Sequence, residues 1–263
     1  MGILNMTRDS FYAPSRHQAS DALLSTAERM LQAGAAILDI GGQSTRPGSH
    51  TLSAEEEAAA VIPAVAALHE AFPDAILSID TFYGSVATAA VAAGASLVND
   101  ISAGTIDPQM FPAVAALNVP YVLMHMQGRP DTMQQHPYYD NVTQEVLDFF
   151  IEKLALLKKA GVTDVVLDPG FGFGKTHAHN FTLLKDLRQF SILNCPLLLG
   201  VSRKGTIYRT LGTTAEGALN GTTVLNTIGL MNGAHILRVH DVKEAMEAIL
   251  LLQHYPETIP SCL

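Results

Sequence analysis

Short apolar runs that finish on a polar residue recur along this chain, and stretches with helical spacing that end in glycine stand in front of them. Ala33-Gly34-Ala35 precedes Ala36-Ile37-Leu38-Asp39, and Ala93-Gly94-Ala95 precedes Ser96-Leu97-Val98-Asn99. Ala160-Gly161-Val162 precedes Asp164-Val165-Val166-Leu167-Asp168, and Asn232-Gly233-Ala234 precedes His235-Ile236-Leu237-Arg238. Each repeat reads as a helix closed by a glycine C-cap, followed by a buried strand. Further apolar runs cover Ala75 to Ile79 ending at Asp80, Pro120 to Met124 ending at His125, and Pro196 to Val201 ending at Ser202. With Ile3-Leu4-Asn5 at the start, the chain offers eight strand candidates.

Helical patterns fill the gaps. Leu23, Ala27, Met30 and Leu31 keep helical spacing up to Gly34, and Ser53 with Glu56 forms a capping box ahead of an apolar face of Val61, Val65 and Leu68. Asp241 with Glu244 repeats that start signal before the last helix. The uncharged stretch from Thr81 to Asn99 is long enough to span a membrane, but its Ala, Thr, Ser and Gly content and the break at Gly94 favour a buried helix followed by a buried strand. Continuous apolar strands that each lead into a helix predict an α/β fold, a single-domain (β/α)8 barrel over residues 1–263. The rival, an open doubly wound sheet, favours a glycine-rich fingerprint after the first strand, where this chain has Asn5-Met6-Thr7-Arg8.

Composition narrows the function classes. Apolar residues make up 48% and charged residues 16% of the 263, which excludes a disordered chain and a coiled coil. A net charge of −9 argues against a non-specific nucleic-acid or membrane binder. Cys195 and Cys262 form no C-x-x-C, so neither a zinc site nor a disulfide framework is expected. Met1-Gly2-Ile3-Leu4-Asn5 turns polar before an apolar signal core forms, and a cytoplasmic protein is expected.

Active sites of such barrels sit at the C-terminal ends of the strands. Here those ends read Asn5, Asp39, Asp80, Asn99, His125, Asp168, Ser202-Arg203-Lys204 and Arg238-Val239-His240, a rim suited to a polar ligand with many donors and acceptors. Arg203, Lys204, Arg238 and His240 cluster after the last two strands, where barrels commonly hold phosphate, and Arg46 in the second loop adds a fifth cation. Gly170 to Thr176 is one residue short of a Walker A loop and is expected to present Phe173 and Lys175 over a pocket. His177 and His179 lack partners for a transition-metal site and read as surface loop. A hard cation such as Mg2+ fits Asn5 together with ligand phosphates. Asp80, Asn99 and Asp168, walled by Ile101 and Met124, suit a flat, nitrogen-rich heterocycle whose edge gives parallel N–H bonds to a carboxylate. The alternative for Asp168 is an interior ion pair with Lys204.

Eight strings carry a family resemblance: GILNMTRDSF (2–11), DIGGQSTRPGS (39–49), SIDT (78–81), NDIS (99–102), MHMQGRP (124–130), DPGFGFGK (168–175), SRKG (202–205) and RVHD (238–241). In this order they resemble dihydropteroate synthase. The resemblance implies a homodimeric barrel transferase of folate biosynthesis that joins 4-aminobenzoate to 6-hydroxymethyl-7,8-dihydropterin diphosphate and releases pyrophosphate with Mg2+ present. It implies that Asp80, Asn99, Asp168 and Lys204 bind the pterin, with Ile101 and Met124 lining its pocket. Asn5 would ligate Mg2+, and Asn5, Arg46, Arg238 and His240 would hold the diphosphate. Thr45, Arg46, Pro47, Phe173, Lys204 and Gly205 would frame the aminobenzoate, where sulfonamides would compete. The catalytic set is then Asn5, Arg46, Asp80, Asp168, Lys204, Arg238 and His240. Three features depart from the family: Arg8 where Pro is usual with Ala13 where many members carry Asp, Gly205 in place of a frequent Ser, and a Met1 that lies almost on strand one, from which the usual short lead-in is expected to be absent. Two rivals are a pterin-dependent methyltransferase serving corrinoid proteins, which would not need STRPG or the Arg238/His240 clamp, and a non-catalytic pterin-binding barrel.

Overall fold

The computed structural model describes residues 1–6, 16–43, 51–129 and 132–255. Six strands form a parallel sheet in chain order: β1 (Gly2–Asn5), β2 (Ile37–Gly41), β3 (Ile76–Asp80), β4 (Leu97–Asp100), β5 (Tyr121–Met124) and β6 (Val165–Asp168). A second parallel pair, β7 (Leu198–Leu199) and β8 (Ile236–Leu237), completes the ring. Leu167 bridges to Leu197 on one side and Gly2 to Val239 on the other, with Leu167 N–H donating to the Pro196 carbonyl at 2.8 Å and Ile3 N–H to the Val239 carbonyl at 3.0 Å. The strands therefore close into an eight-stranded (β/α)8 barrel. Helices wrap it: α1 (Arg16–Gln32), α2 (Ala54–Ala71), α3 (Gly84–Ala92), α4 (Met110–Leu117), α5 (Val142–Lys159), α6 (His177–Asp186), α7 (Gly205–Thr210), α8 (Leu219–Met231) and α9 (Val242–Gln253).

The repeat read from the sequence is present as physical caps. Gly34, Gly94, Gly161 and Gly233 follow α1, α3, α5 and α8 with φ of 98°, 118°, 91° and 96°, a region that an L side chain resists. At α2 the Ser53 hydroxyl accepts from Glu56 N–H while the Glu56 carboxylate accepts from Ser53 N–H. Thr81 to Asn99 holds α3 and the start of β4, and among the described residues no helix is long and apolar enough to cross a membrane.

Strand alternation sorts the interior into layers. Outward residues such as Leu38, Ile40, Leu77, Ile79, Val98, Leu123 and Leu167 pack under the helices. Inward Leu97, Val122, Val166 and Leu198 plug the barrel floor, with Met1 and Ile236 against them. Two residues on, the same inward faces carry Asn99, Met124, Asp168, Gly200 and Arg238. In register beside them, β2 and β3 contribute Asp39 and Gly41, Ser78 and Asp80. The plug is apolar and the layer above it polar, so the alternation itself aims these groups at the mouth.

Three expectations are corrected. Strand β2 runs two residues past Asp39, because Gly41 still pairs with Asn5 and Asp80, and Asp39 is fully buried rather than terminal. Strands β7 and β8 are only two residues each; Arg203 at φ +52° turns the chain out of the sheet soon after β7. Asp241 precedes α9 but caps nothing with its side chain, since both carboxylate oxygens are taken by Arg203 at 2.8 Å.

Candidate active site

Four inward side chains of the polar layer form one network. Arg238, after β8, donates from Nε to Asp39 Oδ2 and from Nη2 to Asp80 Oδ2, both at 2.6 Å. Asn99 Nδ2 donates to the same Asp39 oxygen at 3.0 Å. Burial works against the guanidinium's charge, but Asp39 and Asp80 outweigh it and hold Arg238 protonated. Burial pushes the Asp80 carboxyl up to about 7, Arg238 opposing and Asp39 reinforcing.

Across the mouth, Asp168 ends β6. Its Oδ1 accepts from Gly170 N–H at 2.7 Å, and its pKa is raised by burial against the pull of Lys204. Lys204 Nζ donates to the Phe171 carbonyl at 2.6 Å and sits 4.5 Å from the centre of the Phe173 ring. Its pKa falls to about 8 through burial, with Asp168 opposing. The ammonium bonds the backbone rather than pairing directly with Asp168, so the interior ion-pair alternative does not describe the geometry. Gly200 leaves the space between these two groups open; a Cβ there would lie 3.7 Å from Asp168 Oδ2 and from Lys204 Nζ. Ile101, Met124, Phe173, Phe82 and Met133 make the apolar wall above. The structure thus brings Asp80, Asn99, Asp168, Lys204, Arg238, Ile101, Met124 and Phe173 to one mouth.

The glycine loop behaves differently from its sequence reading. Lys175 is 2% exposed and does not face a pocket. Its Nζ is held by His125 Nδ1 at 2.8 Å and by the Gly170 and Phe173 carbonyls at 3.0 Å. Burial lowers its pKa well below the usual value and takes His125 down to about 2, the neighbouring Lys175 adding to the effect. Gly170 has φ +72°, and a Cβ there would stand 1.9 Å from the His125 carbonyl oxygen. Gly170→Ala is expected to destabilise the fold by ~2–4 kcal/mol through backbone strain and clash; a urea melt with an unshifted midpoint would contradict this. His177 and His179 open α6 rather than lying in a loop, His179 completing a capping box with Thr176.

The cation cluster divides in two. Arg203 is committed to Asp241 and to the Ala215 and Glu216 carbonyls at 2.9 and 2.8 Å, a structural tie and not an anion receptor. His240 Nδ1 lies 2.9 Å from Ser202 Oγ, which also accepts His240 N–H at 3.2 Å; burial, then Arg238, lower its pKa. Asn5 ends β1 with its side chain exposed at the rim. Gly205 opens α7, where a Cβ would make only ordinary contacts, so the backbone does not demand glycine there. Thr45, Arg46 and Pro47, with Arg8 and Ala13, lie outside the described residues, as does Cys262. Among the described residues no three His, Cys, Asp or Glu groups stand together as a metal site.

The second loop has an anchor that sequence reasoning missed. Gln43 after β2 grips both backbone groups of Leu52 at 3.0 and 3.1 Å and donates to the fully buried Glu57 of α2. Burial raises Glu57 to about 7, the Gln43 bond opposing. The folded state therefore keeps a proton that the unfolded chain releases near 4.5, and this carboxyl costs stability as pH rises from about 4.5 to 7. Glu57→Gln removes that cost. Relative to the parent, its stability is expected to climb by up to ~1.4 kcal/mol per pH unit across this window; denaturant melts at pH 5 and 8 with an equal difference would refute it.

An α/β barrel whose mouth sets two carboxylates, an amide and a lysine around an apolar slot is built to hold a flat, hydrogen-bonding heterocycle. Residues 1–240 match the family described as "Pterin binding enzyme", and the chain belongs to that family. Dihydropteroate synthase of Escherichia coli K12 is 44% identical over 96% of this chain and 90% of its own length. The solved Yersinia pestis dihydropteroate synthase, captured with a sulfonamide drug, superposes with a TM-score of 0.89 at 43% identity, covering 96% of this chain and 92% of that one. The Xanthomonas albilineans enzyme with 7,8-dihydropteroate gives 0.85 at 38% identity, covering 96% and 91%.

Proposed function

We propose that this chain condenses 6-hydroxymethyl-7,8-dihydropterin diphosphate with 4-aminobenzoate, forming 7,8-dihydropteroate and pyrophosphate in folate biosynthesis. The observation that carries the reading is the inward convergence of Asp80, Asn99, Asp168 and Lys204 above the apolar barrel plug. Asp168 and Asp80 accept the pterin's N–H groups, Asn99 supplies an amide, Lys204 a donor, and Ile101 and Met124 cover the ring face. Arg238 and His240, with Asn5 and Arg46, receive the diphosphate. Phe173, Lys204 and Gly205 frame the aminobenzoate with Thr45, Arg46 and Pro47.

The chemistry needs no nucleophilic side chain, and Ser202, whose Oγ lies 2.9 Å from His240 Nδ1, serves to hold that imidazole. The electron-rich pterin stabilises a cation at its exocyclic CH2 as diphosphate leaves, and the aminobenzoate nitrogen then adds. Asn5 offers one exposed amide oxygen without a carboxylate cluster, which fits Mg2+ carried in by the diphosphate rather than a resident ion. When bound, Mg2+ offsets negative charge growing on the leaving group. Chelation with EDTA is therefore expected to lower turnover at least ~100-fold, with recovery on added Mg2+; undiminished turnover would remove the metal from the account.

The remaining expectations belong to the same proposal: one pterin-binding domain over residues 1–263, a cytoplasmic setting, sulfonamide competition with aminobenzoate, and a homodimer. Val224, Ile228 and Met231 support the dimer as an exposed apolar stripe on α8 at helical spacing.

A further inference from the structure

We infer that Asp39 is a positioning residue that sets the polarity of Asn99 and the aim of Arg238. Its carboxylate is fully buried and sits on the inward face of β2, directly in register with Ser78. It loads both donors, Arg238 Nε and Asn99 Nδ2, onto Oδ2 and leaves Oδ1 without a partner among the described residues.

A carboxylate only accepts, so the Asn99 amide has one permitted orientation: NH2 toward Asp39 and the carbonyl oxygen toward the ligand. Asn99 thereby presents an acceptor and selects a ring donor. A glycine follows Asp39 on the same inward face: Gly41, where a Cβ would lie 3.4 Å from Asp80 Oδ2. Residue 41 thus adds no side chain above Asp39, and Arg238 reaches Asp80 by Nη2. With Nε and Nη2 both committed, Nη1 of the fork carries no carboxylate partner among the described residues. Asp39 touches neither substrate in this reading; it acts through Asn99, assigned to the pterin ring, and Arg238, assigned to the diphosphate.

The inference rests on the pterin reading, and its test separates the two. Binding of 6-hydroxymethylpterin is measured by calorimetry for the unsubstituted chain, Asp39→Asn and Asp39→Ala. Asparagine keeps an acceptor oxygen without the charge and guards against a variant that fails to fold. Affinity is expected to fall about 10- to 100-fold in Asp39→Ala and less in Asp39→Asn, with the aminobenzoate KM unchanged. The groups facing Asp80 are Arg238, Asp39, Glu57, Asp100 and Lys204. In Asp39→Asn, where Arg238 keeps an acceptor, removing the negative charge at Asp39 lets Asp80 ionise more easily and the pH midpoint of pterin binding moves lower; in Asp39→Ala the displaced Arg238 opposes burial less, and the midpoint does not fall as far. Unchanged affinity and midpoint, or equal losses for both substrates, would overturn the inference. An unsubstituted chain that binds no pterin would sink the functional reading alone. In that case a crystal structure of Asp39→Ala decides: Arg238 and Asn99 left in place would overturn the positioning role, and their displacement would support it.

Discussion

Asp168→Ala is expected to abolish pterin binding. In this reading the carboxylate gives the heterocycle two charge-assisted bonds worth ~1.5–3 kcal/mol each, so affinity falls at least ~100-fold. The same oxygen pair also does local structural work, since Oδ1 accepts Gly170 N–H at the head of the glycine loop. Loss of the carboxylate deprives Lys204 of its strongest opposing charge, and burial then drives its pKa further below the usual range. Asp168→Asn separates the effects: it preserves an acceptor for Gly170 and removes the negative charge. Calorimetry of 6-hydroxymethylpterin against both variants measures the difference, and wild-type affinity in Asp168→Ala would remove this residue from the site.

Arg238→Ala should harm more than the diphosphate contact that the sequence alone assigns to it. The guanidinium is the cation between Asp39 and Asp80, and truncation leaves the fully buried Asp39 carboxylate facing the partly buried one of Asp80. Stranding a buried charge costs ~3–5 kcal/mol. The pair avoids part of that by holding a proton, which raises Asp80 above its present value of about 7 and removes an acceptor for the ring. Melting temperature, diphosphate affinity and affinity for the free pterin should all fall together. His240→Ala is the comparator, with a loss confined to the diphosphate substrate. Unchanged free-pterin affinity in Arg238→Ala would contradict the shared network.

The barrel was legible because its signals are local. Glycine caps after α1, α3, α5 and α8, the Ser53–Glu56 box and the apolar runs each follow from neighbours a few residues apart. The site's polar residues were legible too, since strand parity places Asn99, Asp168 and Arg238 two positions beyond the apolar plug. Other features depend on pairings across the barrel. Arg203 looks like one of four clustered cations until Asp241, 38 residues away, takes its Nε and Nη2 donors. Lys175 looks like a loop cation, but three left-handed glycines at 170, 172 and 174 fold the loop around it and seal it against His125. Asp39 carried the same parity signal as Asp80; its depth emerged only once β2 proved to run on to Gly41.

The most direct measurement mixes the protein with Mg2+, the dihydropterin diphosphate and labelled 4-aminobenzoate, and follows labelled dihydropteroate and free pyrophosphate together. The account predicts both products in equal amounts, with formation dependent on Mg2+ and inhibited by a sulfonamide in competition with 4-aminobenzoate. Folded protein that binds the pterin diphosphate yet forms neither product would contradict it.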